Sequence, residues 1–281
     1  MRSSRLLIAV VIAVIGGLYY FCNTQQNPVT GEKQRVALST EQEVALGLQT
    51  APQMAAEFGG LHPDAAVQDY VEKLGERIVA ESAAKGGDYQ YDFHVLQDTE
   101  TVNAFALPGG QVFITAALMR RLTDEDQLAG VLGHEIGHVV GRHSAEHLAK
   151  QQLTQVLVGA AGVAGSSEAS SGQQAAAVAA MVGQVVNMRF GRKDELESDR
   201  LGVRFMSEAG HDPRSLKDVM RILAEASGGR GERPEFLSTH PDPGNRLQEI
   251  EAEIGRMFPG GVPQELTGPD AGTFAQVRAR L

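Results

Sequence analysis

The stretch GHEIGHVVGRH, residues 133 to 143, constrains this chain more than any other. On an α-helix four residues advance about 400°, or about 40° net, so His134 and His138 project from one face about 6 Å apart along the axis. Two imidazoles at that spacing reach one tetrahedral zinc. Glu135, about 100° round from His134, can face a zinc-bound water and act as its general base. Zinc lowers the pKa of that water toward about 7, and its attack on a carbonyl carbon leaves a cleaved amide. A helix doing this work needs a bare metal face and an apolar remainder. Gly133 and Gly137 provide the first, and Leu132, Ile136, Val139 and Val140 the second. The competing reading is an ordinary amphipathic helix that happens to carry two histidines, which the glycines and the apolar flank disfavour.

The third ligand has to come from elsewhere. Cys22 is the single cysteine, so a metal site here uses histidine and carboxylate. The pattern H-E-x-x-H-x-x-G-x-x-H fails, because position 144 is Ser and His143 comes one residue early. If the helix continues, His143 and His147 lie about 180° and 220° from His134, which predicts a solvated or supporting role for both. DELESD, residues 194 to 199, offers carboxylates on a helix. Glu195 and Asp199 share a face, whereas Glu197 points about 200° away from Glu195. One carboxylate can bind the metal while Asp199 holds an imidazole N–H and fixes its tautomer. The competing reading is a charged solvent face.

The amino end sets the compartment. Leu6 to Cys22 is an uncharged, mostly apolar run of 17 residues behind Arg2 and Arg5, at the lower edge of the roughly 17–25 that span a bilayer. Residues 1–22 therefore read as a signal peptide or signal anchor, and the arginines send residue 23 onward out of the cytoplasm. Cys22 suggests a lipoprotein, but Phe21 sits where such a signal wants a small residue; an uncleaved anchor is the favoured reading. The formal charge of −10 leaves no basic stripe for a phosphate backbone, so nucleic acid is not an expected partner.

The remaining pattern predicts a mainly helical α+β fold with a small antiparallel sheet over the H-E-x-x-H helix. Residues 23–38 read as a linker, and STEQE opens a helix capped by Ser39 or Thr40. A helix from Pro63 to Ala80 follows, then a strand at YDFHVLQ and two strands about the Pro-Gly-Gly turn of NAFALPGGQVFIT. Thr123 is the expected cap of the metal helix, and a last helix is expected from about Pro243. Residues 151–190 are rich in Ala and Gly and are expected to form a mobile cover over the cleft, against the alternative of a packed helix pair. With no internal repeat, residues 39–281 read as one domain.

Taken together, NAFALPGGQVFIT, HEIGHVVGRHSAEH, the E-x-x-x-D of ELESDRLG, STHPDPGNRL and the leading NPVTGEKQ resemble the HtpX/BepA/LoiP-type zinc metalloproteases. That family also includes the CaaX prenyl-protein proteases and a mitochondrial inner-membrane quality-control protease. The resemblance implies one Zn2+ per chain on His134, His138 and Glu195, with Glu135 as base and Asp199 behind the ligands. It implies that Asn103, Ala104 and Phe105 belong to an edge strand on which an unfolded or misassembled protein pairs in extended form. His240 and Arg246 match a histidine and an arginine near the metal. The chain departs from the integral members in lacking long transmembrane helices, and the residues after Arg246 are too few for the tetratricopeptide repeats of some periplasmic members. The expectation is a membrane-anchored, extracytoplasmic zinc endopeptidase in envelope protein quality control. The alternatives are a holdase-like binding module, or a zinc amidase or esterase on the same fold.

His240 precedes Pro241, which keeps it off a helix. It can donate to the oxyanion formed as water attacks, the favoured job, or hold the open zinc position and keep the enzyme idle. Arg246 can pair with Asp199, or be an exposed surface arginine.

Overall fold

The computed structural model describes residues 2–165, 185, 188–227, 235–241, 244–266 and 271–281. Its chain order begins with α1 (Arg2–Cys22), β1 (Thr24–Gln26), β2 (Lys33–Arg35), α2 (Thr40–Glu57) and α3 (Ala65–Glu81). Then come β3 (Asp92–Leu96), β4 (Ala104–Ala106), β5 (Gln111–Thr115), α4 (Ala116–Arg121), α5 (Glu125–Val140) and α6 (His143–Gly165). The described carboxyl-terminal helices are α7 (Arg192–Glu208), α8 (Ser215–Ser227), α9 (Glu235–Thr239), α10 (Arg246–Met257) and α11 (Ala271–Arg278). The expected mainly helical α+β class holds.

Helix α5 carries GHEIGH and is buried along its length apart from Asp126. Its cap is Asp124, whose side chain accepts from the Gln127 N–H at 2.9 Å, rather than the expected Thr123. Helices α3, α7 and α8 and strands β4 and β5 surround it. Its closest neighbour is α7, and small residues set that approach. A Cβ on Gly137 would stand 2.9 Å from the Ser198 carbonyl oxygen, and one on Gly202 would stand 3.0 Å from the His134 nitrogen. The face that these glycines leave bare thus admits a helix, the one that carries Glu195 and Asp199.

The sheet of β3, β4 and β5 has the order β3-β5-β4. As expected, β4 and β5 are antiparallel, with Phe105 opposite Phe113. Strand β3 departs from the expectation: it runs parallel to β5, with His94 beside Phe113, so the sheet is mixed. The reason is connectivity. The chain leaves β3 at Leu96, crosses to the outer edge for β4, and turns back through Gly109 (φ 82°) and Gly110 (φ 121°) to put β5 in the middle. One face of the sheet packs Phe93, Val95, Val112 and Ile114 on α3 through Val67, Val71, Leu74 and Ile78. The other packs Phe105 and Phe113 with Met54 and Phe190.

Helix α2 opens with the expected capping box of Ser39 and Gln42. Residues 23–38, expected as a linker, contain instead the antiparallel β1–β2 hairpin. Its turn folds on Asn27, whose Oδ1 accepts from the N–H groups of Val29 and Thr30. The Asn27 Nδ2 donates to the Val140 carbonyl at 2.6 Å, and the Gln34 Nε2 donates to the Gly141 carbonyl. The hairpin therefore satisfies carbonyls left open at the end of α5. Among the described residues no helix is long and apolar enough to cross a membrane. Most of the Ala- and Gly-rich cover expected between 151 and 190, namely 166–184 with 186 and 187, lies outside the described residues. Helix α10 begins at Arg246 rather than near Pro243, and α11 follows it.

Candidate metal centre

His134 and His138 project from the middle of α5 with their Nε2 atoms 3.1 Å apart. The crossing of α7 brings Glu195 to them, with Oε2 3.6 Å from His134 Nε2 and Oε1 3.5 Å from His138 Nε2. Zinc bonds of about 2.0–2.1 Å to a tetrahedral ligand set place neighbouring donors about 3.3–3.4 Å apart. The three observed separations bracket that value. His240 joins them: its Nδ1 is 3.1 Å from Glu195 Oε1 and 3.4 Å from His134 Nε2, and the four donor atoms lie within 4.8 Å of one another. The donor set, two or three imidazoles and a carboxylate, fully buried, fits zinc.

Each ligand candidate is held from behind. Asp199 Oδ1 stands 3.0 Å from His134 Nδ1. The Arg246 guanidinium forks onto both oxygens of Asp199 at 2.7 Å and reaches Glu195 Oε2 at 3.0 Å through Nη1. Behind His138, His143 lies with Nδ1 against Nδ1 at 2.9 Å, and the far side of His143 meets Glu197 Oε2 at 3.4 Å. Phe190 stacks on His138 and Phe236 on His240, with ring centroids 4.0 and 4.4 Å apart. Glu135 differs: both of its carboxylate oxygens are buried without a hydrogen-bond partner, and its closest charged neighbour is His240 Nε2 at 3.8 Å. A bare carboxylate beside a donor cluster is costly unless a ligand or water serves it.

Burial sets the electrostatics. It pushes the Glu135 carboxyl above its ordinary range, against the pull of His240 and His134. At Glu195 burial acts upward too, but His240, Arg246 and His134 outweigh it and hold the group ionised. Asp199 is likewise driven well below the usual carboxylate range, because Arg246 and His134 overcome its burial. Burial, with His134 and His240 adding to it, keeps His138 neutral, the form that binds metal. His240 moves the other way: burial lowers it, but Glu195 and Glu135 raise it further.

The sequence profile of peptidase family M48 matches residues 65–254. The chain belongs to peptidase family M48. It is 32% identical over 238 residues to the beta-barrel assembly-enhancing protease of Yersinia pestis, covering 83% of this chain and 48% of that protein. It is 32% identical over 241 residues to the mitochondrial metalloendopeptidase OMA1 of Schizosaccharomyces pombe, covering 84% and 68%. With the beta-barrel assembly-enhancing protease of Escherichia coli K12 it shares 31% over 237 residues. The M48 chain spans about half the length of those bacterial relatives. Metalloproteases of family M48 use zinc, in keeping with the donor set.

Of the residues singled out from the sequence, His134, Glu135, His138, Glu195, Asp199, His240 and Arg246 all meet at this centre. Arg246 is no surface residue; it is 2% exposed and among the largest fully buried side chains. Phe105 of the edge strand β4 and Asn103 just before it lie nearby, and with His240 and Phe190 they line a cavity of about 190 Å³. Ala104 is buried in the same strand and does not line it. Glu197 stays outside the donor set, as expected, and touches only the far side of His143; His143 was expected to lie away from the metal face and does not. The continuous helix assumed for that geometry ends at Gly141, and Arg142, at φ 53°, turns the chain so that α6 starts with His143 on the metal side. Gly141 was the available signal for that break. His147, by contrast, pairs with Asp194 at 2.7 Å.

Proposed function

We propose that this chain is a zinc-dependent endopeptidase that holds zinc through His134, His138 and Glu195 and uses Glu135 as the general base. The observation that carries the reading is the pairing of a buried N, N, O donor set at tetrahedral separations with a bare, buried Glu135 carboxylate. When bound, zinc activates a water toward neutral pH and polarises the scissile carbonyl. Glu135, lacking any protein donor, is left to take the proton of the attacking water and pass it to the leaving amine. Asp199 and His143 orient the two imidazoles, and Arg246 holds Asp199 and Glu195 together.

The substrate is an extended segment of an unfolded or misassembled protein, laid along the outer edge of β4. Support comes from the position of β4 at the sheet edge and from Asn103, whose buried side-chain Oδ1 has no hydrogen-bond partner. Backbone pairing gives affinity with little sequence preference. His240 has two candidate jobs, and the distances favour the second in this conformation. Its Nδ1 lies 3.4 Å from His134 Nε2 and 3.1 Å from Glu195 Oε1, close enough that it would compete with water for a bound zinc. Membrane attachment through the amino end is supported by the uncharged run Leu6–Cys22 behind Arg2 and Arg5, whose apolar side chains α1 leaves exposed, and attachment of that kind suits a role in envelope protein quality control.

The deciding comparison is wild type against Glu135→Gln on an unfolded protein such as casein, with zinc content measured for both. Cleavage is lost and zinc retained if Glu135 is the base. Loss of zinc makes it a ligand, and full activity in the variant removes the mechanism.

A further inference from the structure

Helix α6 runs beside α1 for much of its length. The pairing is antiparallel. Tyr19, Tyr20 and Asn23 share a cavity of about 110 Å³ with Ala149, Gln152 and Leu153. Further along, Gly16 meets Val156, where a Cβ on the glycine would lie 2.5 Å from the valine Cγ1. Helix α6 therefore climbs beside α1 from the end of the metal helix toward the amino terminus. Its chemistry changes on the way. Lys150 is the last charged residue, and none follows from Gln151 to Gly165. Leu157 and Val158 are 45% and 66% exposed, beside an α1 that exposes Val11, Val14, Ile15 and Leu18.

We propose that α6 is a second membrane-contacting element, and that a lipid bilayer covers Val156, Leu157 and Val158 together with the outward faces of α1. The proposal rests on the reading of α1 as a membrane anchor. Three observations favour lipid over a second protein surface. The exposed apolar side chains of α1, from Leu6 to Phe21, wind over about 200° of the helix, whereas a protein seam is a narrower stripe. Tyr19, Tyr20 and Phe21 form an aromatic collar at the end nearest the catalytic domain. The Arg35 guanidinium lies 5.9 and 5.3 Å from the ring centroids of Tyr20 and Phe21, the pairing of ring and cation that suits a headgroup layer. The uncharged end of α6, about 22 Å at 1.5 Å per residue, is shorter than the roughly 30 Å hydrocarbon layer. Over its described residues it enters the membrane without crossing it. Because only the Gly141–Arg142 turn separates α6 from α5, the catalytic centre rides against the membrane, and the polypeptides it meets are membrane-adjacent.

The test uses the full chain with Cys22→Ser, reconstituted in phosphatidylcholine–phosphatidylglycerol vesicles. A single cysteine is placed in turn at Val158, Leu157, Val11 or Lys150 and labelled with an environment-sensitive fluorophore. Labels at Val158, Leu157 and Val11 should show blue-shifted emission, lose intensity to nitroxides on the acyl chains and resist aqueous iodide, whereas the Lys150 label should do the reverse. If Val11 is quenched from the lipid while Val158 and Leu157 behave like Lys150, the proposal fails and the anchor stands. If Val11 too is quenched from water, the anchor reading fails and the proposal with it. Protection of Val158 and Leu157 from both quenchers would mean that a second protein surface covers them, which also overturns the proposal.

Discussion

Replacing Arg246 with methionine tests the centre most directly, because it removes a charge while keeping much of the side-chain volume. The guanidinium is buried and joins two buried carboxylates, with two 2.7 Å bonds to Asp199 and a 3.0 Å contact to Glu195. Removing one partner of a buried charge pair typically costs about 3–5 kcal/mol. In a domain of this size about 1 kcal/mol moves Tm by roughly 2–4 °C, so the variant should melt about 6–20 °C below wild type after metal chelation. Zinc loading should narrow the gap, because the ion supplies positive charge to the same carboxylates. The pH dependence follows from the signs. In wild type, Arg246 helps hold Asp199 and Glu195 below their ordinary values, so their contribution is present above the unfolded carboxylate pKa and is lost as pH falls through the folded one. In the variant burial dominates, the folded values rise above the unfolded ones, and the groups destabilise the fold at neutral pH. The gap should therefore be widest at neutral pH and close below about pH 4. Scanning fluorimetry of both proteins from acid to neutral pH measures this. A gap under about 2 °C at neutral pH, or one that stays constant on acidification, would refute the electrostatic argument.

Other changes probe separate links. Glu135 must be ionised to accept a proton and burial raises it, so kcat/KM should fall on the acid side at a pH above the ordinary carboxylate range; a limb at or below that range in a pH–rate profile would contradict this. Gly202→Ala puts a methyl 3.0 Å from the His134 nitrogen, which should cost about 1–3 kcal/mol and weaken zinc binding as α7 is pushed off α5. Denaturant melts and chelator competition would detect both effects. His240→Ala should raise cleavage of an unfolded protein with zinc retained, since its Nδ1 lies within the donor set; a fall of about 10²–10³ in turnover would restore the oxyanion-donor role. Asn27→Ala removes the bond to the Val140 carbonyl at the end of the metal helix and should lower stability by about 1–3 kcal/mol, which a urea melt would measure.

Helical spacing alone put His134 and His138 on one face and set Asp199 one turn beyond Glu195, because those relations are fixed by 3.6 residues per turn and need no partner. Local chemistry likewise set the Ser39 capping box and the Pro-Gly-Gly return of β4 into β5. Packing decided what local rules do not reach. Whether Glu195 or another carboxylate meets the histidines depends on α7 crossing α5 where Gly133, Gly137 and Gly202 let the two backbones close. His143 reaches His138 only because the chain breaks at Gly141 and turns left-handed at Arg142, held by Glu43 from α2 and by the Leu38 carbonyl. The β1–β2 hairpin looked like a linker because its role, closing the carbonyl end of α5, lies more than one hundred residues away in sequence. Local rules leave Arg246 open between surface and site for the same reason: an arginine is driven inside only where buried carboxylates from another helix wait for it.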